Sequence, residues 1–326
     1  MKAKERLLKV EDLKVHFFTY GGIVEALDGV SFDLFRGEVL GLVGESGCGK
    51  SVTALSIMRL VPRPGRIISG RIIFDGEDLL KKSEKEMYKI RGSRISLIFQ
   101  DPTSSLNPLF TVGYQVAEPL IYHHHMRLKR AWDKAVQILT KTRIPDPPAK
   151  ARSYPHELSG GMRQRSMIAM ALACRPDLLI ADEPTTNLDV TVERQILELV
   201  KDLQREFGTS VLWITHNLGV IAELCDRVVV MYAGNVVEIA DVEEIFSHPL
   251  HPYTQKLLKA IPSAQTVGGK LEEIPGTVPK LINPPSGCRF HPRCPAATDT
   301  CREEKPPMIE VRAGHFVACH LYGSGG

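Results

Sequence analysis

Residues Gly44-Glu45-Ser46-Gly47-Cys48-Gly49-Lys50-Ser51 follow the pattern G-x-x-x-x-G-K-[ST], directly after the apolar run EVLGLV and directly before the helix-competent stretch SVTALSIMRL. Strand, glycine-rich loop and helix in that order form a phosphate cradle. Backbone N–H groups converge on phosphate oxygens, and the helix start adds the positive end of its dipole. Lys50 would bridge the β- and γ-phosphates, and the Ser51 hydroxyl would reach Mg²⁺. A second constellation is DLLIADE, an apolar strand ending in Asp182 and Glu183. Asp182 suits a hard cation, held through water, and Glu183 is then able to polarise the attacking water. His216, after the run SVLWIT, would approach the γ-phosphate, and Gln100, closing RISLIFQ, would coordinate Mg²⁺ or orient water; taken singly, neither says much.

Ser159-Gly160-Gly161 opens a further helix-competent segment, MRQRSMIAMALAC. Such a start is an anion site in its own right, although a plain N-cap by Ser159 is the commoner reading of the triplet alone. A second phosphate corner more than a hundred residues from the first suggests a nucleotide held between two molecules.

Of the seven cysteines, Cys288, Cys294, Cys301 and Cys319 crowd the C-terminal end, while Cys48, Cys174 and Cys225 lie singly. In a reducing compartment the cluster reads as metal-binding. Four thiolates suit an Fe–S cluster or tetrahedral Zn²⁺; the intervals are wider than structural zinc sites use, which favours the bulkier cluster, and they also miss the ferredoxin spacings. Cys48, inside the phosphate loop, reads as a small filler.

These groups need elements to hold them. Residues 1 to about 100 read as strands (KVEDLKVHF, ALDGVSFDLF, EVLGLVG, GRIIFDG, RISLIFQ), and residues 101–176 as helices with Pro breaks. DLLIADE and SVLWITH are short apolar runs, as expected of strands buried on both faces of a parallel sheet. Between them Val192, Ile196, Leu199, Val200, Leu203 and Phe207 recur at helical spacing, with Asp189 to cap the start and Gly208 after the end. RVVVMYAGNVVEIA reads as a hairpin turning at Gly234-Asn235. Beyond about 245 proline-rich stretches imply a loop-rich appendage stapled by something other than a large core.

Forty-one Lys and Arg against 38 Asp and Glu leave +3, too small a surplus to favour a nucleic-acid binder. No run is long and apolar enough for a membrane-spanning helix, and the charged start has no signal-peptide core, so the chain is expected to stay in the cytosol.

GESGCGKS, Gln100, LSGGMRQR, LLIADEP, TTNLD and His216 together resemble the ATP-binding-cassette ATPases over about residues 5 to 245. The resemblance implies an α/β P-loop NTPase fold: a RecA-like lobe, an antiparallel β subdomain and a helical subdomain at about 101–176. Residues 1–245 would form the nucleotide-binding domain, and 246–326 the small loop-rich extension with its metal-cluster motif. It also implies that two such domains pair head to tail around two ATP molecules. Gly44, Ser46, Gly47, Cys48, Gly49, Lys50, Ser51, Val52 and Thr53 would bind phosphate or Mg²⁺, with Gln100 and Asp182 at the metal. Glu183 would be the general base and His216 would clamp the γ-phosphate. Ser159, Gly160 and Gly161 would serve the nucleotide of the facing protomer. Phe17 would stack on adenine, with Phe18 or Tyr20 as alternatives. Met162, where the family most often has Gln, and Asn187, where it usually has Ala, depart from the pattern.

FQDPTSSLNP, YPHELSGGMRQR, ADEPTTNLDVTV, HPYTQKLL and IPGTVP with GCRFHPRCP resemble, more finely, the ATPase subunits of dipeptide and oligopeptide importers, Met162 favouring the D-type member. That resemblance implies a second ATPase subunit (an F-type paralogue or an identical copy), two membrane permeases, an extracytoplasmic binding protein and a place on the cytoplasmic face of the membrane. It also strengthens [4Fe–4S] over zinc. A soluble cassette ATPase of translation or nucleic acid is the alternative; such chains tend to carry two cassettes or a long coiled-coil insertion, and this one has neither. A third reading makes the Cys-rich end a redox sensor.

Overall fold

The computed structural model describes residues 5–100, 105–186, 188–260, 274 and 276–323. Its strands, in chain order, are β1 (Arg6–Thr19), β2 (Gly22–Phe35), β3 (Val39–Val43), β4 (Gly65–Phe74), β5 (Glu77–Asp78), β6 (Ile95–Ile98), β7 (Leu178–Asp182), β8 (Ser210–Thr215), β9 (Arg227–Tyr232), β10 (Asn235–Asp241), β11 (Ile309–Arg312) and β12 (His315–Val317). The chain forms two compact units.

One unit comprises Arg6–Leu34, Val39–Leu80 and Ile214–Gly326. Its four-stranded sheet runs β2-β1-β4-β5, with β1/β4 and β4/β5 antiparallel. β1 and β2 reach 14 residues each, longer than the alternation in the sequence marks out, because irregular register between Glu11 and Val15 interrupts the period-two pattern. Its other strands lie in the order β11-β12-β10-β9-β3, with β3 parallel to β9. All five residues of β3 are buried, as expected of a strand covered on both faces. The β9–β10 hairpin turns at Ala233-Gly234, one residue before the expected Gly234-Asn235: Asn235 pairs with Tyr232, and Ala233 and Gly234 take the positive φ that a two-residue turn needs.

The stretch after residue 245 shares this unit's core. Tyr253, at the start of the helix Pro252–Lys259, is buried, as is Phe290, and β12 pairs with β10. The staple expected there is in part a buried carboxylate. Glu238 accepts hydrogen bonds from the backbone N–H groups of Leu250 (2.7 Å) and His251 (2.9 Å), and its Oε1 lies 2.8 Å from His315 Nε2.

The second unit comprises Met1–Glu5, Phe35–Glu38 and Lys81–Trp213. β6 and β7 run parallel, Ile98 opposite Ala181, so their C-terminal ends finish side by side. The helices Val112–His124, Leu128–Lys141 and Gly160–Leu172 pack around Val116, Leu120, Ala131, Ala135, Leu139 and Ala169, the alanines allowing close approach. The helix Val190–Phe207 starts where Asp189 Oδ1 accepts the Val192 N–H at 2.9 Å and ends at Gly208, whose φ is 68°. Its five buried side chains, Ile196, Leu197, Leu199, Val200 and Leu203, are worth about 1.5–3 kcal/mol each. Glu84–Ile90 is a short helix inside the segment read as strands. A Ser83–Glu86 capping box starts it.

Candidate nucleotide site

The phosphate loop follows β3 and leads into the helix Lys50–Ile57. Gly49 stands at the helix N-cap with φ 106°, and a Cβ there would fall 2.5 Å from Leu27 Cδ2 and 2.9 Å from Ala26 O, so only glycine fits. Lys50 is buried, and its Nζ donates to the carbonyls of Gly44 (2.7 Å) and Glu45 (3.2 Å), arching over the loop. Ser46, Gly47 and Ser51 are exposed and Val52 half-buried, whereas Thr53 is buried and donates to Gly49 O at 3.0 Å. Burial pushes the Cys48 thiol above its usual pKa, which suits the filler role. The Cys48 carbonyl accepts the Gly234 N–H at 2.9 Å, tying the loop to the β9–β10 turn.

The loop has further partners more than two hundred residues away in sequence, and nothing in its own motif marks them. Glu45 N–H donates to the Tyr253 hydroxyl at 3.0 Å. Arg293 grips the Glu45 carboxylate with both terminal nitrogens, at 2.8 and 3.2 Å, and also donates to Tyr232 Oη at 3.2 Å. The signal available in the sequence was weak: HPYTQKLL and GCRFHPRCP each carry polar and aromatic residues beyond what a linker needs.

In the other unit, the adjacent ends of β6 and β7 bring Gln100 to Glu183: Nε2 donates to Oε2 at 3.1 Å. Thr186 Oγ1 donates to the same oxygen at 3.2 Å, a contact that no motif in the sequence marks. Glu183 has φ 46°, a left-handed backbone costing a non-glycine residue on the order of 1–3 kcal/mol and typical of functional positions. Asp182 ends β7 beside it. His216 is exposed directly after β8.

Ser159 caps the helix Gly160–Leu172, its Oγ accepting the Met162 N–H at 3.4 Å, so the plain cap is present. Ser159 and Gly160 are exposed, and a Cβ on Gly160 would meet nothing within 4 Å. Met162 packs against the helical core, which gives its apolar side chain a physical reason; Asn187 lies outside the described residues.

Of the adenine candidates, Phe17 lies opposite Gly65 in the β1/β4 register and packs on it, a Cβ there falling 2.6 Å from the ring. Phe18 is exposed with the Arg66 guanidinium 5.5 Å from its ring centre, and Tyr20 is fully exposed in the β1–β2 turn.

None of the seven cysteines forms a disulfide. Among the described residues no group of three or more His, Cys, Asp or Glu side chains is placed to hold a metal ion, so the structure lends the expected Fe–S cluster no support. One backbone bond joins two of the cysteine segments: Cys288 N–H donates to Cys301 O at 2.9 Å. Burial, together with Cys301, Cys319 and Cys294, pushes the Cys288 thiol up to about 11. Among the described residues no helix is long and apolar enough to cross a membrane.

The family described as ABC transporter matches residues 27–186, and the oligopeptide/dipeptide transporter C-terminal region matches residues 237–301. A probable peptide ABC transporter ATP-binding protein of Sinorhizobium fredii is 52% identical over 96% of this chain and 94% of its own length. The dipeptide transport ATP-binding protein DppD of Bacillus subtilis is 51% identical over 97% of this chain and 95% of its own. Among solved structures, a dimeric post-hydrolysis state of the ATP-binding cassette MJ0796 bound to ADP and Pi aligns with a TM-score of 0.66 at 28% identity, covering 72% of this chain and 99% of that one. With a phosphate loop, a strand-end carboxylate pair and relatives matched along nearly its whole length, this chain belongs to the ATP-binding proteins of the ABC transporter family, ATPases coupled to transport, and carries the C-terminal region of the oligopeptide/dipeptide branch.

Proposed function

We propose that this protein hydrolyses ATP to power uptake of dipeptides or oligopeptides through two membrane permeases, as a peripheral subunit on the cytoplasmic face of the membrane. It would act with a second ATPase subunit, a paralogue or a copy of itself, and receive peptide indirectly from an extracytoplasmic binding protein. The observation that carries the reading is the pairing, in one chain, of a complete phosphate loop with an exposed Ser159-Gly160 helix start. Relatives at about half identity, named as dipeptide and oligopeptide transport ATP-binding proteins, supply the cargo class.

In this reading Lys50 and the backbone of residues 44 and 46–53 bind the triphosphate, and Phe17 stacks on adenine. Glu183, oriented by Gln100 and Thr186, takes the proton of the attacking water, while His216 donates to the γ-phosphate. Ser51, Gln100 and Asp182 offer only oxygen donors to a metal, which fits Mg²⁺; when bound, it offsets charge on the phosphate oxygens. Ser159, Gly160 and Gly161 meet the γ-phosphate bound by the facing subunit. Affinity purification from native membranes tests the assignment: recovery with polytopic permeases supports it, and recovery with RNA instead replaces it with the soluble cassette ATPase.

The proposal extends to the cysteines: Cys288, Cys294, Cys301 and Cys319 hold a [4Fe–4S] cluster in preference to zinc. Supporting it are the wide intervals between these four cysteines in the sequence. Anaerobically purified protein should be brown, with iron and acid-labile sulfide, and Cys294→Ser should bleach it. A colourless preparation with stoichiometric zinc overturns the cluster.

A further inference from the structure

The ion pair between Arg293 and Glu45 joins the cysteine-flanked loop to the second residue of the phosphate-binding motif. It is well enclosed. The Arg293 side chain is 6% exposed and that of Glu45 25%. Arg293 also donates to Ile274 O at 3.2 Å, its guanidinium lies 5.7 Å from the Tyr232 ring centre, and its own carbonyl accepts from Lys256 Nζ at 3.4 Å. Burial works against the charge, but the hydrogen bonds to Glu45 and Tyr232 outweigh it and hold the guanidinium above its usual pKa. Four residues earlier, Arg289 donates to Ala233 O at 2.7 Å and to Glu25 Oε2 at 2.5 Å, gripping the turn whose Gly234 N–H binds the Cys48 carbonyl. One short segment, Cys288 to Cys294, thus holds the phosphate loop directly through Arg293 and from behind through Arg289.

The electrostatic consequence is specific. A phosphate loop works by presenting N–H dipoles and one lysine to a tetra-anion, and a carboxylate within the loop opposes that. Glu45 is tolerable there while its charge is neutralised and its side chain is turned aside. Tyr253 fixes the same residue's backbone by accepting its N–H.

We propose that Arg293, assisted by Tyr253, is a positioning residue for ATP binding: it keeps the Glu45 carboxylate neutralised and away from the triphosphate, so that the C-terminal cysteine loop sets nucleotide affinity. This rests on the nucleotide reading of residues 44–53. The two are separable, because saturable binding by the unaltered chain that Lys50→Ala abolishes establishes the site itself.

The test is a four-variant cycle on the full chain, with the dissociation constant of a fluorescent ATP analogue measured well below each protein's melting temperature. Arg293→Gln should weaken binding about tenfold, Glu45→Gln should change it less than about twofold, and the double variant should return to within about threefold of the unaltered chain. Arg293→Lys should recover part of the loss, since the charge returns without the two-pronged geometry. Tyr253→Phe, which preserves the packing, should cost about threefold. An unchanged dissociation constant in Arg293→Gln overturns the proposal. So does a double variant as weak as Arg293→Gln, because the loss would then be structural and independent of the Glu45 charge.

Discussion

The two corners of this chain that would meet phosphate are built in opposite ways. The loop at 44–51 is braced: Lys50 is tied to its carbonyls, Cys48 O is bound by Gly234, and Glu45 is held by Tyr253 and Arg293. The corner at Ser159-Gly160 has a long 3.4 Å cap and open space around Gly160. A braced loop binds without rearrangement, which lowers the ordering cost of association. An exposed helix start has its shape settled but its ligand still to arrive, as suits a group that acts on a nucleotide delivered by another subunit.

If bracing governs binding, altering the carboxylate at 183 should stop the chemistry and leave binding intact. Glu183→Gln should retain ATP binding while turnover falls by about a hundredfold to a thousandfold, the range lost when a group stabilising the transition state is removed. Steady-state phosphate release read beside nucleotide affinity checks this. Turnover within fivefold of the unaltered chain would move the general base elsewhere.

The glycines sharpen the contrast. Gly49→Ala forces a Cβ to 2.5 Å from Leu27 Cδ2 at a φ of 106°, so it should lower stability by about 1–3 kcal/mol and weaken binding together. Gly160→Ala meets nothing and sits at a helix start, so its melting temperature should hold or rise slightly, and monomer ATP binding should stay intact. Turnover should nonetheless drop about tenfold or more, because in the proposed pairing this backbone approaches the partner-bound phosphate. A Gly160→Ala protein with normal turnover would show that this corner never meets ATP.

What was legible in the sequence shares a property: each signal was local. The strand, loop and helix at 38–60, the apolar run ending in Asp182-Glu183 and the helix capped by Asp189 are each set by neighbours within a few residues. The Glu45–Arg293 pair spans 248 positions, and ion pairing leaves no periodicity for a sequence to display. The C-terminal stretch reads as an appendage for a related reason. Its proline content signals loops truthfully, yet Tyr253 and Phe290 supply a core that proline-rich spacing conceals. The Gln100–Glu183 contact was half legible, because both residues end apolar runs, but only the parallel register of β6 and β7 makes those ends coincide.

The smallest effect probes how the brace is itself held. His251 is buried and caps the helix Pro252–Lys259 by accepting the Tyr253 N–H at Nδ1, 3.0 Å away, which requires that nitrogen to be unprotonated. Burial pushes its pKa down to about 3. The unfolded chain binds a proton near pH 6.5 and the folded chain refuses it, so the contribution is complete above that pH and is lost progressively as pH falls toward about 3. By pH 5 the loss is about 2 kcal/mol. His251→Asn keeps an acceptor at the cap without a group that titrates there. The stability difference between the two proteins, followed by denaturant unfolding, should therefore shift by about 2 kcal/mol in favour of the variant between pH 7.5 and pH 5. A pH-independent difference would mean that His251 protonates in place, and that the Tyr253 anchor under the phosphate loop is looser than its burial implies.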